Sequence, residues 1–334
     1  MRFPKFLVAS AAFYVAVMLL SAVGILNGYL MIIINQSLIY VILAVSLNLI
    51  NGITGQFSLG HMGFAAVGAY VSGTITTLIF KLHAPRGFGL EVFGHEGIFI
   101  AAIILGGVVA AVVGYLIGFP SLRLKGDYLA IVTLGFGEII RTIVNNIDYV
   151  GGPRGLLGIP IFSNFTAIFV FAFLTVVIIR NVIESSHGRA MLAVRENEVA
   201  ADLAGVDTTR YKVMGFSMGA FFAGIAGGLL AHLISIAHPS QYGFLQSAMI
   251  LILVYAGGMG SLTGSVIAAF LLTFLTEVLR MGIDWLNGTL NLPIGDEWTM
   301  VIYAIILILV MLFRPNGLMG GREAKILVLG RKTK

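Results

Sequence analysis

YLMIIINQSLIYVILAVSLNLI, residues 29–50, runs directly into NGITGQFSLGHMGF, residues 51–64, and then into a further apolar stretch that ends near residue 80. The first segment carries no charge. It has the length a helix needs to cross the roughly 30 Å hydrocarbon core of a bilayer. The second is polar and glycine-rich, with almost no linker on either side. Non-helical backbone at membrane depth is tolerated only against protein or a water-filled cavity. The pair therefore predicts helices in lipid, interrupted by a break that neighbouring helices shelter. Gln56, Ser58 and His61 supply its polar contacts. Two readings of the break stay open: a tight turn ahead of a capped helix, and the wall or gate of a polar passage.

Composition extends this reading to the whole chain. Of its residues 58% are hydrophobic and 10% charged, against about 25% charged in soluble domains, and mean hydropathy is +1.00. Lipid is therefore the solvent for much of the surface and the first expected partner. Glycine is abundant at 42 residues and proline scarce at 8, a balance that suits close helix packing in a membrane. With no cysteine, disulfides, thiol chemistry and Cys-based metal sites are excluded. A net charge of +5 gives no reason to expect nucleic acid as a partner; the side on which the charges fall carries more information.

Apolar runs place ten spans: 6–25, 29–50, 61–80, 98–119, 128–147, 165–183, 213–237, 244–256, 262–281 and 298–313. The eighth is short and is expected to be broken or re-entrant. With ten spans one side receives Arg2, Lys5, Arg123, Lys125, Arg189, Arg195, Arg210, Lys212 and the basic tail 314–334. The other receives Lys81, Arg86 and Arg154 with the acidic Glu91, Glu96, Asp148, Asp284, Asp296 and Glu297. An excess of Lys and Arg marks the cytoplasmic side, so both termini and the polar loop 184–212 are expected there. The N-terminal run, followed by Ser21-Ala22-Val23, has the outline of a signal peptide but continues past the usual apolar length.

Small residues recur every four positions at Gly106, Ala110, Gly114 and Gly118, and again at Gly215, Gly219, Ala223 and Gly227. Such ladders let backbones approach closely in lipid. The chain has no Gly-Lys dipeptide, hence no P-loop. Gly215-Phe216-Ser217-Met218-Gly219 matches the nucleophile elbow G-x-S-x-G, but that motif needs a strand-to-helix turn, and here it lies in an apolar helix pattern. His95-Glu96 lacks the second His of a zinc protease motif. No catalytic, metal or cofactor residues are assigned.

Three further stretches carry information. In GDYLAIVTLGFGEIIR, residues 126–141, Asp127 is placed to cap a helix, while Glu138 and Arg141 share a face. YAGGMGSLTG, residues 255–264, is a second glycine-rich interruption, followed by Glu277 and Arg280 three residues apart. The loop GRAMLAVRENEVAADLAGV, residues 188–206, has helix-forming composition. A short helix is expected over residues 195–203, with Ala200, Ala201 and Ala204 as a small-residue patch, a charged rim of Arg195, Glu196, Glu198 and Asp202, and Gly205 as its stop.

These stretches, with Phe313-Arg314-Pro315-Asn316-Gly317-Leu318, resemble the permease subunits of branched-chain amino acid ABC transporters, the LivM/LivH family, and residues 126–141 resemble the LivM-like branch most. The resemblance covers roughly residues 30–320. It implies an all-α polytopic fold of the type II ABC importer kind, in one domain over residues 1–334, in a bacterial or archaeal inner membrane. By the same resemblance the partners are a second, LivH-like permease, two ATPase subunits of the LivG/LivF kind and an extracytoplasmic solute-binding protein. ATP hydrolysis would then lie on the separate ATPases. The loop residues Gly188, Arg195, Glu196, Asn197, Ala200, Ala201, Asp202 and Gly205 would form the coupling site. Gln56, Ser58, His61, Glu138, Arg141 and Glu277 are candidates for the path or its gate. Within the family the substrate ranges from leucine, isoleucine and valine to urea, short amides and aromatic acids. A self-sufficient secondary transporter would also use broken helices but needs no folded cytoplasmic loop. An intramembrane enzyme lacks the required His, Asp and Cys constellations.

Overall fold

A computed structural model describes residues 3–79, 90–122, 124, 126–290, 298, 301, 302, 305, 308, 312–314, 317–319 and 323. Eleven α-helices follow in order among these residues: α1 (Phe3–Ala22), α2 (Gly28–Asn48), α3 (His61–Thr74), α4 (Leu90–Ser121), α5 (Asp127–Asn145), α6 (Phe165–Glu184), α7 (Ser186–Glu196), α8 (Glu198–Leu203), α9 (Thr208–Ile234), α10 (Phe244–Gly257) and α11 (Leu262–Leu290). Six segments are long and apolar enough to cross a membrane: Gly28–Ile53, His61–Ile79, His95–Ser121, Phe165–Glu184, Thr208–Ile234 and Leu262–Trp285. The protein is thus a multi-pass, largely helical membrane protein. The first, fifth and eighth expected spans correspond to α1, α5 and α10, outside those six. Most of the tenth lies outside the described residues.

α9 is the axis of the fold and packs along α4, α3 and α2. Its glycines explain how. A Cβ at Gly227 would stand 1.9 Å from Ala65 O, and one at Gly68 the same distance from Gly224 O. A Cβ at Gly114 would lie 2.6 Å from that of Ala220. The two ladders do not face each other. The α4 ladder meets Gly68, Ser217, Phe216 and Ala220, whereas Gly215, Gly219 and Gly227 of α9 meet Thr54, Ile50 and Ala65. Ser217, the would-be nucleophile, sits in mid-helix.

α1 packs on α6: Phe6 stacks on Phe173 at 5.6 Å and Tyr14 on Phe165 at 5.5 Å. Two short strands, β1 (Leu156–Leu157) and β2 (Ile236–Ala237), pair antiparallel and tie the α5–α6 connection to the end of α9 on one face. The α6–α9 loop and the α10–α11 turn lie together on the opposite face.

Some expectations shift. Asp127 is the first helical residue of α5, not its cap; the cap position is Gly126 at φ +59° with no side-chain bond. Asp127 still lies in the first turn, where a carboxylate is favoured by the helix dipole. The single helix expected over residues 195–203 is two. Asn197 leaves the helical region (φ −158°, ψ 105°), and its side chain accepts from the Ala200 N–H at 3.0 Å. An asparagine that can cap a new helix competes with continuation of the old one.

Candidate functional site

The four stretches singled out above converge on the break between α2 and α3. α2 ends in a π-helical turn (Leu49–Ile53), and residues 54–60 are not helical. Buried backbone there needs partners, and side chains provide them. Asn51 Oδ1 accepts from Ser58 N at 3.2 Å, and Thr133 Oγ1 of α5 accepts from Leu59 N at 3.1 Å. Ser247 Oγ of α10 accepts from Met62 N at 3.2 Å, capping α3 from a neighbouring element. α5 presses close because a Cβ on Gly60 would stand 2.0 Å from Thr133 O, and one on Gly63 would stand 2.8 Å from Gly137 Cα.

The second interruption docks on the first. Asn48 Nδ2 donates to Ser261 O at 2.9 Å while its Oδ1 accepts from Gly260 N at 2.8 Å. One amide side chain thus clamps the α10–α11 turn to the end of α2. Gly258 and Gly260 hold positive φ, +108° and +82°, which non-glycine residues rarely adopt. The tail grips the same turn from its other side. Leu318 N donates to Ala256 O at 2.7 Å, and the Glu323 carboxylate accepts from Leu262 N, Thr263 N and Thr263 Oγ1 at the start of α11. A carboxylate on free N–H groups at a helix start is stabilised by the dipole as well as by the bonds.

The loop α7–α8 lies against both interruptions. Its inner side is fixed by buried Met191 and Val194 and by an ion pair, Lys212 Nζ to Glu198 Oε1 at 2.6 Å, with Lys212 buried. Gly188 permits the corner after α6, since a Cβ there would stand 2.2 Å from Ile183 O. Arg195, expected on an outer rim, instead turns inward: Nη1 donates to Gly52 O at 2.6 Å. Glu196, Asn197 and Asp202 stay exposed. Ala201 is buried, leaving Ala200 and Ala204 facing outward. Gly205 (φ +83°) ends α8, with Gly205 N bonding Asp202 O and Val206 N bonding Ala201 O. This is the Schellman arrangement that glycine favours.

Reading the sequence missed the most exposed feature of α8. Val199 is 63% and Leu203 85% exposed, one turn apart on a helix whose polar composition drew attention to its charges. Their i, i+4 spacing was the available signal.

Among the path candidates, Gln56, Ser58 and His61 are all buried. Gln56 borders a cleft of about 180 Å³ beside Arg195, Asn197 and Lys212. His61 Nε2 pairs with Ser46 Oγ at 2.9 Å. Ser58 Oγ and His61 Nδ1 have no hydrogen-bond partner among the described residues. Glu138 bonds Arg141 at 2.9 Å, and its other oxygen accepts from Phe244 N at 3.0 Å, the start of α10. Glu277 pairs with Arg280 at 3.0 Å, and Arg280 lies over the Tyr29 ring at the start of α2. Same-face spacing thus gives direct ion pairs in both cases. Neither pair joins the break, and none of the six candidates borders the cavity of about 320 Å³ between α2, α9, α10 and α11. That cavity is walled by neutral groups, among them Gln36, Gln246, Thr273, Thr276, Met62 and Leu253.

Comparison with known proteins gives this arrangement a family. The family described as "Branched-chain amino acid transport system / permease component" matches residues 29–311. The high-affinity branched-chain amino acid transport system permease protein LivM of Escherichia coli (strain K12) is 34% identical over 318 residues, covering 85% of this chain and 68% of that protein. LivM of Salmonella typhimurium is 34% identical over 319 residues, with the same coverage. LivH of Escherichia coli (strain K12) is 26% identical over 305 residues, covering 86% of this chain and 92% of that one. No solved structure matches. The match over most of the chain, to LivM above LivH in identity, means that this protein belongs to the family of branched-chain amino acid transport permease components.

Proposed function

We propose that the chain is one membrane half of an ATP-driven importer for branched-chain or related hydrophobic amino acids. In this reading it crosses a bacterial or archaeal inner membrane about ten times, with both termini in the cytoplasm. It pairs with a LivH-like permease, rests on two ATPases and receives substrate from an extracytoplasmic binding protein. Family membership supports the transport role. The observation that carries the coupling role is the α7–α8 loop: folded, anchored by the Lys212–Glu198 pair, and presenting exposed Val199 and Leu203 beside small Ala200 and Ala204. A chain without a P-loop must receive its power through contact, and an apolar, small-sided helix fits a groove on a partner.

The neutral cavity supports the transport reading on a separate ground. Its walls suit an aliphatic side chain, yet among the described residues no charged group lines it. A zwitterion held there would stay largely unpaired, which is costly, so passage is brief and the binding protein selects. Gln56, Ser58 and His61 in the break, with Glu138, Arg141 and Glu277 towards the other face, are proposed as gate positions around that path.

Reconstituting the permease pair with its ATPases tests the reading. Ala200→Trp and Gly205→Trp should leave the chain in the membrane while ATP-driven leucine uptake is lost. Wild-type uptake with ATPases held normally in both variants would overturn the coupling assignment. Calorimetry on the permease pair without binding protein should detect no leucine affinity near the micromolar range.

A further inference from the structure

We propose that Arg195 is the residue through which movement of the α7–α8 loop reaches the membrane helices, acting on both glycine-rich interruptions at once. The inference rests on reading that loop as the ATPase contact. Arg195 sits in the last turn of α7, two residues before the helix breaks at Asn197. Its Nη1 donates to Gly52 O at 2.6 Å, within the π-helical turn. Its Nε and Nη2 hold the Glu196 carboxylate on the exposed side. One planar guanidinium therefore joins an outward carboxylate to an inward carbonyl.

Two glycines make room for this side chain. A Cβ on Gly55 would stand 2.7 Å from Arg195 Cγ and 3.2 Å from its Cα, and one on Gly260 would stand 3.1 Å from its Nη1. Both glycines hold positive φ, +70° and +82°, so each interruption is shaped where Arg195 touches it. Gly52 and Gly260 also meet each other, with Asn48 across them. The arginine is thus seated at the junction of the two breaks.

Other side chains also anchor the loop. Met191 and Val194 are buried, and the Lys212–Glu198 pair holds the loop to α9. Arg195 itself is about one-third exposed. The polar link from the loop to Gly52 is thus carried by Arg195, and the ion pair to α9 by Glu198. Lysine can donate to Gly52 O but cannot hold Glu196 in the same fork.

The experiment uses the assembled importer in liposomes, with its binding protein and radiolabelled leucine, comparing R195A and R195K with wild type. Uptake, ATP hydrolysis and retention of the ATPases are read together. R195A should keep both ATPases and continue to hydrolyse ATP, while leucine moved per ATP falls roughly tenfold, within the span of coupling changes that single residues produce. R195K should recover part of that ratio, which a general loss of folding does not predict. An unchanged leucine-to-ATP ratio in R195A overturns the proposal. Loss of the ATPases from R195A also overturns it, by making Arg195 a docking residue, and failure of R195A to accumulate does so by making it a folding residue. A cysteine at Leu203 in this cysteine-free chain separates the underlying reading: without cross-linking to an ATPase subunit, the loop is not the contact, and the proposal falls with it.

Discussion

The bundle of α3, α4 and α9 and the junction of the two interruptions both depend on glycine, for opposite reasons. In the bundle, Gly68, Gly114, Gly224 and Gly227 lie inside regular helices and serve by lacking a side chain, so that backbones touch. At the junction, Gly55, Gly258 and Gly260 hold positive φ, and polar side chains, Asn48, Asn51 and Arg195, hold the backbone in place. Helices packed on dry backbone have one arrangement. A junction held by a few hydrogen bonds can exchange them. The difference assigns rigidity to the first region and movement to the second.

Bulk added to the bundle should have the largest effect. Gly68→Leu or Gly227→Leu places atoms 1.9 Å from a facing carbonyl. Overpacking costs about 1–3 kcal/mol even where side chains can shift, and more against backbone. Little folded protein should be recovered in detergent, measured by size-exclusion profile; normal yield would show that the bundle yields after all.

Loosening the loop should come next. Lys212→Ala removes the buried partner of Glu198, at a cost of about 1–3 kcal/mol for a charge-assisted bond. Proteolysis within residues 186–206 should quicken while the rest of the chain stays resistant. Uniform susceptibility would mean that the loop is not a separate unit.

At the junction, Gly55→Ala forces a non-glycine residue to φ +70° against Arg195, a strain of roughly 1–2 kcal/mol. The chain should fold and assemble but transport poorly. Full uptake would place the moving element elsewhere. Smallest of all, Glu138→Gln keeps a hydrogen-bond acceptor for Phe244 N but gives up the charge facing Arg141. About 0.3–1 kcal/mol is expected for a partly exposed pair, read as a small drop in melting temperature.

Much of this organisation was legible beforehand. Apolar runs of bilayer length located α2, α4, α6, α9 and α11, and the two glycine-rich stretches marked the interruptions, because lipid constrains length and polarity strictly. The i, i+3 spacing put Glu138 with Arg141, and Glu277 with Arg280, on one helix face each and left direct pairing open; the structure shows both as ion pairs. Long-range partners were not legible: no local pattern joins Asn48 to Gly260, Arg195 to Gly52 or Glu323 to the start of α11. The inward turn of Arg195 was misjudged because an arginine in a polar loop usually faces water. The split at Asn197 was missed because alanine-rich flanks outweighed one capping residue.

Hydrogen–deuterium exchange on the assembled importer, with and without bound ATP, tests most directly whether the junction moves while the bundle holds. Amides in residues 51–60 and 257–263 should change their exchange between the two states, while those in 102–118 and 215–232 stay equally protected in both. A change of equal size in the bundle, or none at the junction, would contradict the account.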